Sequence, residues 1–287
     1  MDLCDIKNIR GLLSKHGFHF SKSMGQNFLI EGWVPEQIAE SAGLDANTAV
    51  LEIGPGIGCL TVQLAERAGR VVSVELDRSL EPVLSETLEH CSNVKLLYGD
   101  VLKTDIPALV GEHFDGLRPV VCANLPYNIT SPLLTRLIES GCFHEMTVMV
   151  QREVARRICA APGTADYSAF SVYMNWHTRP EILFDVPPHC FMPAPKVHSS
   201  VLHLEVSKAP PVTVHSERLF FRVVRACFAQ RRKTLLNTLT AGFAQLSREA
   251  MGSILDECKI ARNARGETLG IEEFARLSDV IFMRLSV

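Results

Sequence analysis

The sequence has 287 residues and a formal net charge of −3; 47% of the residues are hydrophobic and 21% are charged. This composition is typical of a globular protein with one large and one small domain. Every apolar run ends well before about 18 residues, and the charged N-terminus lacks the apolar block of a secretory signal, which argues against membrane insertion and secretion. The nine cysteines are scattered without a C-x-x-C spacing, so neither a disulfide framework nor a metal site is expected. We therefore expect a cytoplasmic protein with reduced thiols.

The N-terminal stretch SKSMGQNFL, residues 21–29, is basic and polar as far as Phe28. It belongs to a segment, residues 1–48, that precedes the first strand-like run. This segment could fold over a ligand as a lid, with Asn27 supplying polar contacts, or it could be an ordered tail. The residues alone leave both readings open.

Five apolar runs with helix-length segments between them follow: Ala49–Ile53, Arg70–Val74, Val94–Tyr98, Pro119–Ala123 and Met146–Val150. Such alternation predicts an α/β domain with a parallel sheet. In an open parallel sheet, ligands bind at the carboxyl ends of the strands. Polar or glycine residues that follow the first four runs should therefore meet there, namely Gly54, Glu75, Asp100 and Asn124.

The second half of the chain changes from strands to helices. Its predicted elements are a helix over Ser168–His177, strands over Glu181–Val186 and Val197–Val206, and helices over Glu217–Ala241, Arg248–Glu257 and Ile271–Ser286. The proline-containing stretch SKAPPVTVHS, residues 207–216, has the composition of a linker. We therefore predict a first domain over residues 1–207 and a helical second domain over 208–287.

The stretch LEIGPGIGCLT, residues 51–61, places Gly54, Gly56 and Gly58 between the first strand and a helix. Glycines at this position let the backbone approach a ligand closely. The spacing is G-x-G-x-G, and Cys59 occupies the place where a dinucleotide fingerprint has its third glycine. A nicotinamide cofactor is therefore disfavoured, although a tight turn without a ligand could also use these glycines.

Carboxylates end the second and third predicted strands. Glu75 lies about twenty residues after the glycine loop, where an acid typically accepts hydrogen bonds from ribose hydroxyls. Asp77 competes for this role but is expected to face solvent. Asp100 could accept a hydrogen bond from an adenine amine. Each acid alone could be an ordinary solvated surface residue, but several acids at one edge of the sheet favour a nucleoside-binding site.

The stretch CANLPYNITSPLL, residues 122–134, ends a strand with an amide, a proline and an aromatic ring. The adenine amine is a poor nucleophile, and the Asn124 oxygen and the Leu125 carbonyl could accept its two N–H groups. Pro126 restricts the residue before it, and Tyr127 could stack on a base. Phe191 could present a second ring to a flipped-out base, or could simply pack in the core.

The region from Arg222 to Thr240 carries five basic and no acidic residues. On a continuous helix, one face would be apolar, and four basic residues would lie within about 100° of one another on a different face, forming a cationic ridge. The ridge consists of Arg222, Arg225, Arg232 and Lys233. It suits RNA phosphates, but a solvated helix face would look the same.

Seven motifs appear in order in the sequence: MGQNFL, LEIGPGIGCLT, VELD, GDVL, NLPYNITSPLL, FMPAPKVHSSV and CFAQRRKTLLNTL. Together they resemble the bacterial ribosomal RNA small-subunit adenine dimethyltransferases, the KsgA family. The resemblance implies a Rossmann-like class I methyltransferase domain, an all-helical C-terminal domain, and S-adenosyl-L-methionine as methyl donor. The implied reaction is dimethylation of two adjacent adenosine amines near the 3′ end of 16S ribosomal RNA during ribosome biogenesis. The implied partner is the immature small ribosomal subunit. The protein is expected to be a monomer and to bind no membrane.

The resemblance also assigns roles to individual positions. The implied cofactor-binding residues are Asn27, Leu29, Gly54, Gly56, Glu75, Asp100, Val101 and Asn124. Asn124, Leu125, Pro126 and Tyr127 take the catalytic loop role, and Phe191 takes the second stacking role. Ile57 and Cys59 depart from the commoner residues of the family's glycine loop, and neither is expected to touch the chemistry.

Three other functions compete with this one. A resistance methylase that modifies an adenine of large-subunit RNA shares several motifs, but CFAQRRKTLLNTL fits the housekeeping enzyme better. A glutamine methyltransferase acting on protein is disfavoured by the basic region and the paired aromatic residues. An RNA-binding assembly factor whose main task is docking on an immature subunit is compatible with an active enzyme.

Overall fold

The computed structural model describes residues 1–18 and 26–285 of the chain. The chain forms two compact units: Met1–Ala155 with Pro180–Val206, and Arg156–Arg179 with Ser207–Val287. Within the described ranges, none of the helices combines the length and apolar character needed to cross a bilayer. Part of the predicted lid, residues 19–25, lies outside the described residues.

A seven-stranded sheet forms the centre of the first unit, and its strand order is β4-β3-β2-β5-β6-β9-β7. The strands are β2 Thr48–Ile53, β3 Arg70–Glu75, β4 Val94–Tyr98, β5 Arg118–Asn124, β6 Glu145–Gln151, β7 Thr178–Val186 and β9 Ser199–Val206. Strands β2 to β6 run parallel, and β9 pairs with β6 antiparallel. The predicted α/β fold with a parallel sheet is therefore confirmed, with one antiparallel extension.

Strand β2 marks the point where the strand order reverses, because β3 lies on one side of it and β5 on the other. Every residue of β2 is buried, as its mostly apolar sequence predicts for a central parallel strand. In sheets of this class the crevice at such a switch point is the usual ligand site. The topology thus fixes where a site should lie.

Helices and a short second sheet complete the first unit. The helices are α1 Ile6–Lys15, α2 Trp33–Ser41, α3 Cys59–Ala65, α4 Glu81–Thr87, α5 Ile106–His113, α6 Thr130–Glu139 and α7 Arg152–Ile158, which continues into the second unit. The two-stranded sheet pairs β1 Phe28–Leu29 with β8 Phe191–Met192. Ile9, Val34 and Val50 belong to one hydrophobic core, so α1 and α2 are an integral part of this domain.

The second unit is helical and has its own core. It contains α8 Ala169–His177, α9 Glu217–Phe228, α10 Leu235–Gly242, α11 Arg248–Glu257 and α12 Ile271–Leu285. The Trp176 ring stacks on Phe220 with centroids 4.1 Å apart, and both are buried with Phe274. The segment Arg156–Arg179 therefore packs in this unit, whereas the predicted boundary at residues 207/208 had placed it in the first domain.

The predicted helix over Glu217–Ala241 is wrong, because the chain leaves the helix after Phe228 and starts a new one at Leu235. The intervening turn is held by contacts within the second unit. The Leu235 amide donates to the Ala264 carbonyl at 2.8 Å, and the Arg231 guanidinium donates to the Ala165 carbonyl. These tertiary contacts override the helical periodicity, so Arg232 and Lys233 lie in the turn and the four basic residues form no ridge on one helix.

Candidate active site

A cavity of about 250 Å³ opens at the carboxyl ends of the parallel strands of the first unit. Its wall contains all eight residues of the predicted cofactor set: Asn27, Leu29, Gly54, Gly56, Glu75, Asp100, Val101 and Asn124. Leu125, Pro126 and Tyr127 of the predicted catalytic loop also line it. The convergence that the strand ends predicted is therefore present in the structure.

The glycine loop after β2 follows a path that disfavours side chains. Gly54 and Gly56 have φ values of +68° and +60°. A Cβ atom on Gly56 would lie 3.1 Å from the ring of Phe28. Left-handed backbone and close packing thus explain why the sequence has glycine at these positions. The Ile57 and Cys59 side chains are also part of the cavity wall.

Two carboxylates meet where β3 ends. Glu75 is 6% exposed, and its Oε1 accepts a hydrogen bond from the Asp77 amide at 2.8 Å. Burial raises the pKa of the Glu75 carboxyl. Asp77, which was expected to face solvent, is partly exposed; it also lies in the cavity wall, where its Oδ2 accepts a 2.7 Å hydrogen bond from the Gln26 amide. A pair of ribose-type hydroxyls in the cavity would therefore find a buried carboxylate that can accept their hydrogen bonds.

The loop after β4 supplies one polar and one apolar residue. Asp100 Oδ1 accepts from the Leu102 amide at 3.0 Å, and its Oδ2 lies 3.6 Å from the Lys103 ammonium. The neighbouring Val101 side chain is buried in the wall of the cavity. Leu76, in the same wall, is 55% exposed despite being apolar. Apolar surface beside a hydrogen-bonding carboxylate suits a flat heterocycle with an exocyclic amine.

Two hydrogen bonds fix the backbone of the Asn124 loop, one at the residue before the proline and one at the proline itself. The Leu125 amide donates to the Met149 carbonyl of β6 at 3.0 Å, and the Thr130 hydroxyl donates to the Pro126 carbonyl at 3.1 Å. Among the described residues, none forms a hydrogen bond with the Asn124 side chain, and Asn124 lines the cavity. The loop thus presents an amide acceptor on a rigid turn.

The Tyr127 ring is the aromatic part of this loop. Its hydroxyl lies 2.6 Å from Ser199 Oγ of β9, and burial raises the pKa of the Tyr127 hydroxyl. Phe191 is not in the cavity wall: it is 2% exposed and belongs to the core of the first unit. Of the two open interpretations of Phe191, the structure therefore agrees with core packing.

Glu52 is a cavity residue that the sequence analysis missed. It is 1% exposed on β2, and its Oε2 accepts hydrogen bonds from Thr61 Oγ1 at 2.8 Å and Ser73 Oγ at 2.6 Å. Burial raises its pKa to about 7. Gln26, which contacts Asp77, was missed as well. Two features of the sequence could have indicated these residues: Glu52 is an acid within an apolar strand, and Gln26 is an amide next to Asn27.

The residues fit S-adenosyl-L-methionine, the methyl donor that the motifs imply. The buried Glu75 carboxylate, the glycine backbone at Gly54 and the apolar side chains of Leu76 and Val101 offer partners for a ribose, a charged chain and a purine. When bound, this donor supplies an electrophilic methyl group. The described residues contain no His, Cys, Asp and Glu cluster able to hold a metal.

The predicted RNA-binding residues belong to the second unit and are all exposed. Arg222 and Arg225 lie on α9, while Arg232 and Lys233 lie in the turn before α10. The Arg222 guanidinium donates to the Gly242 carbonyl at 3.0 Å and lies 4.4 Å from the centroid of the Phe243 ring. Arg222 therefore also has a packing role within this unit.

Comparison with known proteins adds independent information. A family model described as ribosomal RNA adenine dimethylase matches residues 17–280. The chain is 44% identical over 276 residues to the ribosomal RNA small subunit methyltransferase A of Alkaliphilus metalliredigens, covering 96% of both proteins. It is 47% identical over 278 residues to the protein of that name from Pelotomaculum thermopropionicum, covering 94% of both.

Solved structures share the architecture. The 23S rRNA methyltransferase ErmE superposes with a TM-score of 0.69 at 27% identity, covering 89% of this chain and 100% of that one. A dimethyladenosine transferase from Plasmodium falciparum gives a TM-score of 0.74 at 24% identity, covering 91% and 98%, and shows the fold alone. By its family match and its full-length relatives, the chain belongs to the ribosomal RNA adenine dimethylase family of S-adenosyl-L-methionine-dependent methyltransferases.

Proposed function

We propose that this enzyme dimethylates the exocyclic amines of two adjacent adenosines near the 3′ end of 16S ribosomal RNA. Its substrate would be an immature small ribosomal subunit in the cytoplasm, and the protein would act as a monomer. The proposal rests above all on one observation: the glycine loop, the Glu75 carboxylate and the Asn124 loop line a single cavity. Curated relatives named for small-subunit ribosomal RNA support the choice of RNA.

The Asn124 loop suits the chemistry of an amine whose lone pair is delocalised into a ring. The side-chain oxygen of Asn124 and the Leu125 carbonyl would accept the two N–H groups, which lets the nitrogen become pyramidal as it attacks. No general base is needed before the attack, because the nitrogen gains positive charge only as its bond to the methyl group forms and the bond from sulfur to that methyl group breaks. S-adenosylhomocysteine would leave as the neutral thioether, and the methylated nitrogen would then lose one proton to water. The rate would come from holding the amine in line with the methyl group, since positioning alone can supply several orders of magnitude.

The target base needs a stacking partner outside its duplex. Tyr127 lines the cavity beside Asn124 and is only partly buried, so its ring is available to a flipped base. Phe191, the second predicted stacking residue, is enclosed in the core, and we assign it no contact with the base. One ring therefore carries the stacking role in this proposal.

The exposed basic residues of the second unit support RNA as the partner. Arg225, Arg232 and Lys233 are exposed cations on a protein whose formal net charge is −3. Local positive charge on a mildly acidic protein favours a polyanion met by one surface. We propose that these residues and Arg222 contact phosphates of the ribosomal RNA.

The direct test is incubation of the protein with methyl-labelled S-adenosyl-L-methionine and small ribosomal subunits that lack adenine dimethylation, followed by nucleoside analysis. Label in dimethyladenosine of the small-subunit RNA is the expected result. Large subunits are tested in parallel, because label found only there would assign the protein to the resistance methylases and overturn the proposal. Tight subunit binding without any label would favour an assembly factor.

A further inference from the structure

Ser199 contacts the hydroxyl end of the Tyr127 ring and is not part of the cavity wall. Its hydroxyl is 2.6 Å from the Tyr127 hydroxyl, and the Ser199 side chain is completely buried. Tyr127 itself lines the cavity and remains partly exposed. The ring is thus held at its far end by a residue that a ligand in the cavity does not touch.

Strand β6 contacts both of the residues that fix this ring, Leu125 in the loop and Ser199 on β9. The Met149 carbonyl accepts the Leu125 amide, which fixes the backbone of the Asn124 loop. Two residues further on, Gln151 pairs with Ser199 across the antiparallel β6–β9 ladder. Because one strand anchors the loop backbone and the serine, the distance between them is set by regular sheet geometry. A tyrosine spanning these two points has little rotamer freedom left.

Ser200, the next residue along β9, can be compared directly with Ser199. It is equally buried, but alternation along β9 turns its hydroxyl to the other face of the sheet, where it donates to Asp185 Oδ1 at 2.5 Å. The two adjacent serines thus have the same size and burial, and each makes one side-chain hydrogen bond, to a tyrosine hydroxyl for Ser199 and to a carboxylate for Ser200. Only Ser199 contacts the catalytic loop.

We propose that Ser199 is a positioning residue for methyl transfer, which holds the Tyr127 ring in the orientation that stacks on the target adenine. The inference rests on the proposed function, because it assumes that Tyr127 stacks on this base. Without the serine, the tyrosine hydroxyl would lose a partner in a partly buried place and would turn toward water, moving the ring. Tyr127→Phe removes the same hydrogen bond from the other side, so the ring at position 127 would lose the same anchor.

The test is a double-mutant cycle of Ser199→Ala and Tyr127→Phe, with Ser200→Ala as the matched control. Initial rates are measured on small subunits lacking the modification, with thermal unfolding and donor affinity recorded for each variant. Ser199→Ala should lower kcat about 3- to 10-fold, the equivalent of one lost hydrogen bond, with KM for the subunit unchanged. Ser200→Ala should lower the melting temperature by at least as much, because its partner is a carboxylate, but should leave kcat within twofold.

In the Tyr127→Phe background, Ser199→Ala should cause no further loss of kcat, because the hydrogen bond is already absent. Independent, multiplicative losses would overturn the inference, as would equal kcat losses in the two serine variants. If Ser199→Ala does not fold, Tyr127→Phe alone decides, since wild-type kcat in that variant would show that the hydroxyl contact is irrelevant. Failure of the proposed function is separate, because the wild-type protein would then leave small-subunit adenines unlabelled.

Discussion

The side-chain amide of Gln26 donates a 2.7 Å hydrogen bond to Asp77, two residues after the carboxylate that ends β3. This contact ties the start of the Asn27–Leu29 segment to the rim of the cavity. The other oxygen of Asp77 is occupied by the Ser79 amide and hydroxyl, at 3.0 and 2.6 Å. Asp77 is thus a fixed acceptor, and Gln26 is the residue it holds.

Replacement of Gln26 by alanine should weaken the binding of S-adenosyl-L-methionine about 3- to 10-fold, because Asn27 and Leu29 then lose one of their supports. Titration calorimetry on the free protein measures this directly. Ser79→Ala serves as the control, since it removes a hydroxyl from the same carboxylate without touching Gln26. Equal affinities in all three proteins would contradict a positioning role for Gln26.

Replacement of Asn124 by alanine should lower methyl transfer at saturating donor by about 100-fold or more, the cost of removing one preorganised polar group from a reaction site. The Leu125 and Pro126 backbone contacts do not involve the Asn124 side chain, so the melting temperature should change little. Asn47→Ala, a change of an exposed amide before β2, controls for the loss of an asparagine. Turnover within threefold of wild type would reject this mechanism.

The sequence predicted those parts of the protein that local pattern determines. The edge strand Val94–Tyr98 and the helix Arg248–Glu257 match the structure to the residue, because an apolar run defines the strand and a serine cap defines the start of the helix. The convergence of Glu75 and Asn124 also followed, since parallel strands bring their carboxyl ends to one edge.

The errors concern features decided by distant contacts. The break between Phe228 and Leu235 depends on the Ala264 and Ala165 carbonyls, which no periodicity shows. The contribution of Gln26 was missed because it depends on a hydrogen bond to Asp77, some fifty residues later in the chain. Burial of Phe191 depends on β8 pairing with β1, and a two-residue strand leaves no pattern to read.

Charge reversal in the turn before α10 should weaken binding to the small ribosomal subunit. Arg232→Glu is the cleaner variant, because Arg222 also packs against Phe243. If Arg232 contacts one phosphate, the slope of log Kd against log salt should decrease by roughly 0.7 to 0.9. Lys95→Glu makes the same kind of charge change at the exposed surface of β4 and should leave the slope near wild type. Identical slopes for both variants would make Arg232 an ordinary solvated cation.

The buried Glu52 carboxyl should make stability depend on pH. Its usual pKa is 4.5, and burial raises it to about 7, with Glu75 adding in the same direction. As pH rises from 4.5, the unfolded chain ionises Glu52 while the folded protein keeps the proton. The stabilising contribution is therefore complete below pH 4.5 and is lost as pH rises through 7. Its size is on the order of 3 kcal/mol, since one pKa unit corresponds to about 1.4 kcal/mol.

Glu52→Gln isolates this contribution, because an amide oxygen can still accept from Thr61 and Ser73 but does not titrate. Urea unfolding at pH 5 and pH 8 should show the variant gaining stability relative to wild type at the higher pH, on top of a constant offset. Glu75 titrates in both proteins, so the effect of its own burial is common to them, and only its repulsion of the Glu52 carboxylate is removed by the substitution. Glu89→Gln, at an exposed site, should track wild type at both values. A constant difference between Glu52→Gln and wild type at pH 5 and pH 8 would mean that Glu52 is ionised in the folded protein across this range, stabilised by its two hydroxyl donors.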